Sequence, residues 1–342
     1  MLTRLFEYGY PRSRIAVRPC AARDEARLLV LGRRGGRVGH RRFKDIVSYL
    51  KSGDCLVLND TRVMPVRFEG RKATGGRVGI LLSKPVSKLE WEALIRPGRV
   101  RPGAVLKIGN GKYFASVLGL ANGEASARVK LSRPLARDLF KVGSIPLPPY
   151  MKRAPNASDR KWYQTVYARE AGSIAAPTAG LHFTKDLLRQ IKAKGVSIAY
   201  LTCHIGYASF RPVRSNRIED HVMHTEHFSV PASTVRALRA AKKAGQRVVA
   251  VGTSSTRVLE ELGSKLFKAS IRSFRGATQL FIKPPFRFNV VDALITNFHM
   301  PRTTLVMLVS AFAGRVRLLQ VYKKAVRKGY RLFSYGDAMF IR

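Results

Sequence analysis

The sequence predicts a protein of mixed fold class, in which an α/β domain is combined with an all-β domain. Three observations support this prediction. Between residues 55 and 131, short apolar or alternating runs are separated by turn signals, whereas after Ser158 strands alternate with helices. The chain has 342 residues, and 46% of them are hydrophobic. That is enough material for two cores, and it excludes a disordered basic tail protein.

The all-β segment is predicted from short runs of alternating or continuous apolar residues. Asn110-Gly111 lies between two of these runs and predicts a two-residue type I′ hairpin turn, since both positions of that turn need a positive φ. Strands at such spacing are typical of a small closed barrel or a sandwich. The proline-rich stretch 143–150 ends the segment. The predicted strands are Cys55–Asn59, Arg77–Leu82, Trp91–Ile95, Ala104–Ile108, Tyr113–Leu118 and Ser126–Leu131.

After Ser158, alternating strands and helices indicate a parallel or mixed sheet that is covered on both faces. Thr184 is the predicted N-cap of one helix, and Gly195 lies just past its end. The predicted helices are Asp159–Glu170, Thr184–Lys194, Ala232–Ala244, Ser255–Leu262, Thr303–Ala313 and Val316–Arg327. The predicted strands are Val196–Cys203, Arg247–Val251, Ala293–Thr296 and Tyr330–Tyr335.

The charge balance points to a polyanionic partner. The chain carries 63 Lys and Arg against 21 Asp and Glu, which gives a formal net charge of +42. Such a field attracts nucleic acid or anionic lipid. The alternative is a lineage-wide preference for Arg and Lys on solvated surfaces. Because the basic residues are spread along the chain, charge alone locates no site.

The sequence gives no sign of secretion, a membrane span or a disulfide framework. The first residues contain no continuous apolar stretch, and the most apolar window, Leu305–Gly314, is about half the length that a bilayer requires. The three cysteines are scattered, and no C-x-x-C spacing occurs, which argues against disulfides and against structural zinc. We therefore expect a cytoplasmic protein that does not associate with membranes.

Two segments have the composition of ligand-binding loops. Gly172–Phe183 is rich in Gly, Ala and Ser, which let a ligand approach the backbone, although a tight connection between helices would look similar. Val251–Arg257 follows a predicted strand and opens a helix, where hydroxyl groups suit a carboxylate or phosphate. Ordinary N-capping explains the second segment equally well. Neither segment contains a P-loop or a G-x-G-x-x-G motif.

The few histidines and carboxylates offer candidates for proton transfer. His221, His224 and His227 lie within seven residues of one another, and His204 and His182 precede them. This clustering suits a metal site or an acid–base site, with metal the weaker choice because the ligand set is incomplete. Capping or core histidines are the alternative. Asp60 and Asp337 each follow a predicted strand, where α/β sites are built, but a turn-forming Asp is equally consistent.

Several stretches together resemble one family, the S-adenosylmethionine:tRNA ribosyltransferase-isomerases of the queuosine pathway. They occur in the family's order from the first 60 residues to the last ten, so the resemblance covers the whole chain. Ala175–Phe183 is highly specific beside Thr296-Asn-Phe-His299. The matching stretches are Leu56–Val63, Pro146–Tyr150, Tyr163–Tyr167, Ala175–Phe183, Phe210–Val213, Ala250–Thr253, Ile295–His299 and Ser334–Asp337.

The resemblance implies a discontinuous three-layer α/β main domain with an inserted small β-barrel domain. We expect the main domain to comprise residues 1–62 and 150–342 and the barrel to comprise residues 63–149. The implied reaction transfers and isomerises the ribosyl moiety of S-adenosylmethionine onto 7-aminomethyl-7-deazaguanine at the tRNA wobble position. Epoxyqueuosine-tRNA, adenine and methionine are the products. The resemblance implies S-adenosylmethionine as co-substrate, no metal, and the precursor-bearing tRNA as partner. We also expect a monomer.

The matching motifs also carry the expected site residues. The expected catalytic residues are His204, His221 and Asp337. The expected substrate-binding residues are Asp60, Thr178, Ala179, Gly180, His182, Phe183, Gly206, Phe210, His224, Glu226, Gly252, Thr253, Asn297 and His299. The sequence does not divide the roles of general base and general acid among the histidines and carboxylates.

The chain departs from the family pattern at three places: Ala208 and Pro285 replace usual glycines, and Gly79 replaces a usual glutamate.

Two functions from other classes are alternatives to the ribosyl transfer. A metal-dependent RNA hydrolase would use the histidines at 221–227. A non-enzymatic RNA-binding protein would need only the charge, and it would leave the small-residue loop and the histidine cluster unexplained.

Overall fold

The computed structural model describes residues 1–33, 35, 38–97, 100–120, 126–268 and 270–342, without the side chains of residues 208 and 210. The chain forms two compact units. The first comprises Met1–Arg62, Pro149–Arg153 and Gln164–Arg342, and the second comprises Val63–Pro148 and Ala154–Tyr163.

The strands in the described residues are β1 (Arg27–Leu31), β2 (Gly39–Arg42), β3 (Cys55–Asn59), β4 (Thr61–Val63), β5 (Arg67–Arg71), β6 (Arg77–Pro85), β7 (Glu90–Arg96), β8 (Val105–Ile108), β9 (Tyr113–Leu120), β10 (Ser126–Leu131), β11 (Glu170–Ser173), β12 (Ser197–Cys203), β13 (Glu226–Val230), β14 (Val248–Val251), β15 (Phe274–Thr278), β16 (Ala293–Asn297) and β17 (Ala338–Ile341). The α-helices are α1 (Ile46–Tyr49), α2 (Arg133–Val142), α3 (Asp159–Trp162), α4 (Lys185–Ala193), α5 (Ala232–Lys243), α6 (Thr253–Leu262), α7 (Lys265–Lys268), α8 (Thr304–Ala313) and α9 (Arg315–Arg327).

The first unit is built on a mixed sheet with the strand order β15-β13-β12-β3-β14-β16-β17-β1-β2. Its central strands β12, β3, β14 and β16 are parallel, and the outer pairs are mostly antiparallel. Successive residues of a strand point to opposite faces, so β14 contributes Val248 to one core and Val249 to the other. Helices α5, α6, α8 and α9 cover one face, and α1 and α4 cover the other. This arrangement confirms the predicted three-layer α/β architecture.

The second unit contains the closed barrel β10-β7-β6-β5-β8-β9. Alternate residues are buried along its strands, as the pattern in β10 illustrates, and these residues fill the interior. The hairpin between β8 and β9 forms where the sequence predicts one, but its loop is longer than predicted. Ile108 pairs with Tyr113, and both Gly109 and Gly111 have a positive φ. The predicted two-residue turn is therefore wrong, and a four-residue loop takes its place.

Three predicted elements differ from the structure. Cys55–Asn59 forms β3 in the centre of the nine-stranded sheet and does not belong to the barrel. The predicted helix Asp159–Glu170 stops at Trp162, because Tyr163 leaves the helical conformation, with a ψ of 30°. The predicted strand Tyr330–Tyr335 is wrong, since Phe333 has a φ of 71° and the segment folds into a tight loop ahead of β17.

Among the described residues, no single helix is long and apolar enough to cross a membrane. Helices α8 and α9 meet that length and composition only when taken together, and they are bent by 111° at the break between them.

Candidate functional site

A cleft of about 770 Å³, including the open solvent at its mouth, lies at the carboxyl ends of the central strands of the first unit. This is the edge of an open α/β sheet where ligands usually bind. Three segments form most of its wall: the loop 175–179, the turn 252–254 after β14, and the segment 296–300 at the end of β16. The lining residues are Tyr150, Ala175, Ala176, Pro177, Thr178, Ala179, Ile205, Ser209, Glu226, Gly252, Thr253, Ser254, Arg257, Thr296, Asn297, Phe298, His299, Met300, Thr303, Leu305, Phe333 and Ser334.

The small-residue loop reaches this cleft only with its first half. Thr178 and Ala179 line the cleft and begin a short 3-10 helix, Thr178–His182. Gly180 turns away from it. A Cβ atom at Gly180 would collide with the hydroxyl group of Tyr167, so glycine is required here by protein packing. The small residues of this loop therefore serve two purposes: Thr178 and Ala179 face the cleft, and Gly180 allows close packing against Tyr167.

The turn after β14 presents the beginning of a helix to the cleft. Gly252 has a φ of 86°, a conformation that favours glycine, and its amide donates to the carbonyl of Ile295 at 2.8 Å. Thr253 and Ser254 then start α6, which runs for ten residues. The first amide groups of a helix have no partner within the helix and attract negative charge. Gly252 and Thr253 thus lie where the sequence analysis expects binding residues.

Asn297 and His182 form a buried polar contact behind the cleft. Asn297 Nδ2 lies 3.3 Å from His182 Nε2 and donates to the carbonyl of Phe333 at 3.0 Å. Asn297 Oδ1 is buried and has no hydrogen-bond partner in the described structure. Burial lowers the pKa of His182 to about 3, so the ring is neutral and can accept from the amide. His182 does not line the cleft, and its ring packs on Phe43.

His299 lines the cleft and is also held neutral. Its Nε2 lies 2.7 Å from Thr296 Oγ1, and burial lowers the pKa of His299 to about 3. The Tyr8 hydroxyl donates to its carbonyl at 2.5 Å. A histidine with such a low pKa serves as a fixed hydrogen-bonding group and carries no positive charge near neutral pH.

An ion pair is buried in the wall of the cleft. Arg257 Nη1 donates to Glu226 Oε2 at 2.6 Å, and the two side chains are 8% and 5% exposed. Ser209 Oγ donates to Glu226 Oε1 at 3.1 Å, and Arg257 Nε donates to the carbonyl of Leu280. Arg257 Nη2 is buried without a hydrogen-bond partner in the described structure. Sequence analysis predicts Glu226 but misses Arg257.

A second groove adjoins the cleft and shares Ser209, Glu226, Arg257 and Leu305 with it. His221 and His224 line this groove, and their ring centroids lie 6.4 Å apart. Partial desolvation lowers the pKa of each histidine, although the side chain of His224 is exposed in the open groove. Neighbouring groups add to the effect: His224 and Lys283 for His221, and Arg211 for His224. Both imidazoles are therefore neutral near pH 7 and can accept a proton.

His204 and Asp60 lie together outside the lining of the cleft. His204 Nδ1 is 2.9 Å from Thr61 Oγ1, and burial lowers the pKa of its ring. Asp60 follows β3, as predicted, and accepts from Thr202 Oγ1 at 2.7 Å and from Arg169 Nη2 at 2.8 Å. Burial raises the pKa of Asp60. These contacts tie the end of β3 to the neighbouring β12.

Asp337 differs from its predicted position, since it precedes β17 and does not follow a strand. Its Oδ1 accepts from the amide of Arg27 at 2.9 Å, and its Oδ2 accepts from the amide of Arg331 at 2.8 Å. Burial raises the pKa of Asp337. The carboxylate closes the tight loop that replaces the predicted strand 330–335, and it does not line the cleft.

Of the remaining predicted residues, Phe183 packs edge-to-face on Phe43 in the core, 5.0 Å between ring centroids. Gly206 has open space around the position of a Cβ atom. The side chain of Phe210 lies outside what the structure describes. Within the described ranges, no group of three His, Cys, Asp or Glu side chains is placed to hold a metal ion.

Sequence analysis misses several cleft residues, among them Tyr150, Ser334 and Arg257. Tyr150 and Ser334 share a 2.5 Å hydrogen bond although they are far apart in the chain. Arg257 is a lone basic residue within a helix whose other first-turn residues are small or hydroxylic. Arg257 is buried together with most of α6. Its position as the one basic residue in a helix that opens with hydroxylic residues is a signal that could have identified it.

Comparison with known proteins agrees with the whole-chain resemblance. The chain matches the queuosine biosynthesis protein family over residues 3–341. It is 46% identical to the S-adenosylmethionine:tRNA ribosyltransferase-isomerase of Clostridium kluyveri over 98% of both chains. It is 47% identical to the enzyme of the same name from Staphylococcus haemolyticus, again over 98% of both chains.

A solved structure is similar over the same extent. The crystal structure of S-adenosylmethionine tRNA ribosyltransferase from Thermotoga maritima is 37% identical, with a TM-score of 0.57. The match covers 99% of this chain and 100% of that one. The chain therefore belongs to the queuosine biosynthesis protein family, whose relatives are S-adenosylmethionine:tRNA ribosyltransferase-isomerases.

Proposed function

We propose that the cleft binds S-adenosylmethionine and that the chain transfers and isomerises its ribosyl moiety onto 7-aminomethyl-7-deazaguanine at the wobble position of a tRNA. Epoxyqueuosine-tRNA, adenine and methionine are the products. One observation carries this proposal: the same cleft combines a small-residue loop, the start of α6 and buried polar groups with unused hydrogen-bonding capacity. We infer the reaction in this cleft from the family to which the chain belongs.

The cleft offers contacts for a nucleoside bearing a charged tail. Thr178, Ala179, Gly252 and Thr253 place backbone groups on its wall. Asn297 Oδ1 provides an acceptor that lacks a partner among the described residues, and ligand N–H groups satisfy such acceptors. A non-enzymatic RNA-binding function would require none of these enclosed groups.

We assign the proton transfers to His221 and His224. The sulfonium group acidifies the ribose C5′–H, and a neutral imidazole in the adjoining groove can accept that proton. The resulting imidazolium can return a proton to the departing adenine. His182 and His299 are poor candidates, because a pKa of about 3 makes each ring too weak a base to take up the proton near neutral pH. In this scheme His204 and Asp337 do not transfer protons. They hold the neighbouring backbone segments in position.

The experiment is an adenine-release assay with S-adenosylmethionine and precursor-bearing tRNA. His221→Gln and His224→Gln should each be compared with His227→Gln, whose side chain is exposed on β13. Acid–base residues contribute typically ~10²–10⁴-fold, so at least one of the first two variants should lose about 100-fold or more in rate. His227→Gln should retain the rate. Full activity in both groove variants would contradict the assignment.

The proposed reaction also implies a tRNA substrate and a cellular location for the enzyme. The net charge of +42 supports a polyanionic substrate, with tRNA phosphates held by dispersed Lys and Arg. We further propose that the enzyme acts as a monomer. It acts in the cytoplasm and away from membranes, where its tRNA substrate is found.

A further inference from the structure

The Glu226–Arg257 ion pair occupies the boundary between the cleft and the adjoining groove, because both residues line both spaces. Each residue is more than nine-tenths buried. Burying an ion pair costs desolvation free energy, and apolar residues of similar volume often replace such pairs without loss of stability. A pair kept in the wall of a ligand cleft therefore suggests a binding role.

The hydrogen-bonding capacity of the pair is incompletely used. Arg257 uses Nη1 for Glu226 and Nε for the carbonyl of Leu280, and its Nη2 has no partner in the described structure. Glu226 accepts from Arg257 and Ser209, with a long contact of 3.8 Å from Cys203 Sγ. Because a carboxylate has about four acceptor positions, Oε1 can take one more donor. Arg257 Nη2 can therefore donate to one more acceptor, and Glu226 Oε1 can accept from one more donor.

We propose that Glu226 and Arg257 bind the α-amino acid group of S-adenosylmethionine, which rests on the proposed function of the cleft. The ligand's α-carboxylate accepts from Arg257 Nη2, and its α-ammonium group donates to Glu226 Oε1. The start of α6, at Thr253 and Ser254 in the same wall, adds favourable electrostatics for the carboxylate.

The pairing of charges selects this ligand group over a tRNA phosphate. A phosphate carries only negative charge, so it would be attracted by Arg257 and repelled by the adjacent Glu226. An α-amino acid group carries both charges on one carbon atom and matches the neutral pair. The product methionine has the same group, so it should compete for this site.

The test compares S-adenosylmethionine with decarboxylated S-adenosylmethionine, which lacks only the α-carboxylate. Binding is measured by calorimetry, with and without saturating unmodified tRNA. A hydrogen bond to a charged group corresponds to about 10- to 100-fold in affinity, so the wild-type protein should bind the decarboxylated compound more weakly by that factor. In Arg257→Gln the two compounds should bind within about threefold of each other, because the group that distinguishes them is gone.

Arg247→Gln is the matched control. Arg247 forms an ion pair with buried Asp54 just before β14, at the end of that strand opposite the cleft. It should keep the wild-type discrimination. Arg257→Lys serves if Arg257→Gln does not fold: the donors of an ammonium group lie on one nitrogen atom and cannot reach the separate positions of Glu226, Leu280 and the ligand as the planar guanidinium does, so discrimination should fall.

Equal binding of the two compounds by the wild-type protein would overturn the inference. So would an undiminished preference for the carboxylate in the Arg257 variants. Either result would leave the proposed function intact as long as S-adenosylmethionine binds. Failure of S-adenosylmethionine to bind the wild-type protein in both conditions would contradict the proposed function itself.

Discussion

His182 Nε2 lies 3.3 Å from Asn297 Nδ2, so a buried neutral histidine holds an amide in the wall of the cleft. The amide nitrogen also donates to Phe333, and these two contacts fix the plane of the amide. The histidine can accept only while Nε2 is unprotonated. The order of this part of the cleft thus depends on a group that burial keeps neutral.

This dependence predicts a loss of stability in acid. Folding lowers the pKa of His182 and of His299 from 6.5 to about 3, so the unfolded chain binds more protons below pH 6.5. Their contribution is fully present above about pH 6.5 and is lost as the pH falls toward 3. At pH 5 the loss is about 2 kcal/mol for each histidine.

Urea unfolding at pH 7.5 and pH 5 measures this effect. His182→Gln keeps an acceptor for Asn297 but does not titrate, so its free energy of unfolding should fall by about 2 kcal/mol less than that of the wild-type protein. Equal losses in the two proteins would show that His182 does not stay neutral in the folded state.

A second prediction concerns Gly180 in the small-residue loop. A Cβ atom there would collide with the hydroxyl group of Tyr167 and would lie 2.9 Å from Thr165 Cγ2. Gly180→Ala should therefore lower the free energy of unfolding by about 1–3 kcal/mol, the usual range for overpacking. Gly206→Ala is the control, since nothing lies within 4 Å of its Cβ position.

Tyr167 also offers a rescue of that variant. Its hydroxyl group is buried and has no hydrogen-bond partner in the described structure, so Tyr167→Phe alone should cost little. The double variant Gly180→Ala/Tyr167→Phe should recover part of the lost stability. If Gly180→Ala is as stable as Gly206→Ala, packing does not explain this glycine.

Activity should be independent of metal ions. His221 and His224 lie near each other, but within the described ranges no third ligand completes a site. Dialysis against EDTA should leave adenine release unchanged. Loss of activity that zinc restores would favour the metal-dependent hydrolase and would contradict the assignment of these histidines to proton transfer.

Binding of tRNA should depend steeply on salt. Each neutralised phosphate contributes about −0.9 in duplex or −0.7 in single strands to the slope of log K against log salt. With about 6–10 contacts, affinity should fall by roughly three to five decades between 50 and 200 mM salt. Unmodified and precursor-bearing tRNA should share this slope, because it counts phosphates and not bases. A shallow slope would contradict the interpretation of the net charge.

Local pattern predicts the elements that carry their own signals. Val248–Val251 is a continuous apolar run, and Thr184 caps α4 through its side chain, so the sequence predicts both elements. The sequence predicts the last strand at Tyr330–Tyr335, because this segment is as apolar as a strand, whereas the strand in the structure is β17. Its loop is fixed by Asp337, which accepts the amides of Arg27 and Arg331. Such a tertiary contact has no local signal.

The candidate site divides in the same way. Motifs identified Thr178, Gly252 and Asn297, which line the cleft. They also included His182, which contacts Asn297 from outside the cleft, and Gly180, which packs against Tyr167. Arg257 has no motif of its own, and its importance appears only when the fold places it against Glu226. Sequence patterns do not separate residues that line a site from those that position it.

The most direct test of the central claim follows the ribose itself. The protein is incubated with precursor-bearing tRNA and S-adenosylmethionine that carries ¹³C in every ribose carbon, and the tRNA is digested to nucleosides for mass spectrometry. The account predicts that the wobble nucleoside gains the full ribose label while unlabelled adenine and methionine are released. Release of adenine with no label in the tRNA would contradict it, because the cleft would then break down S-adenosylmethionine without transferring its ribosyl moiety.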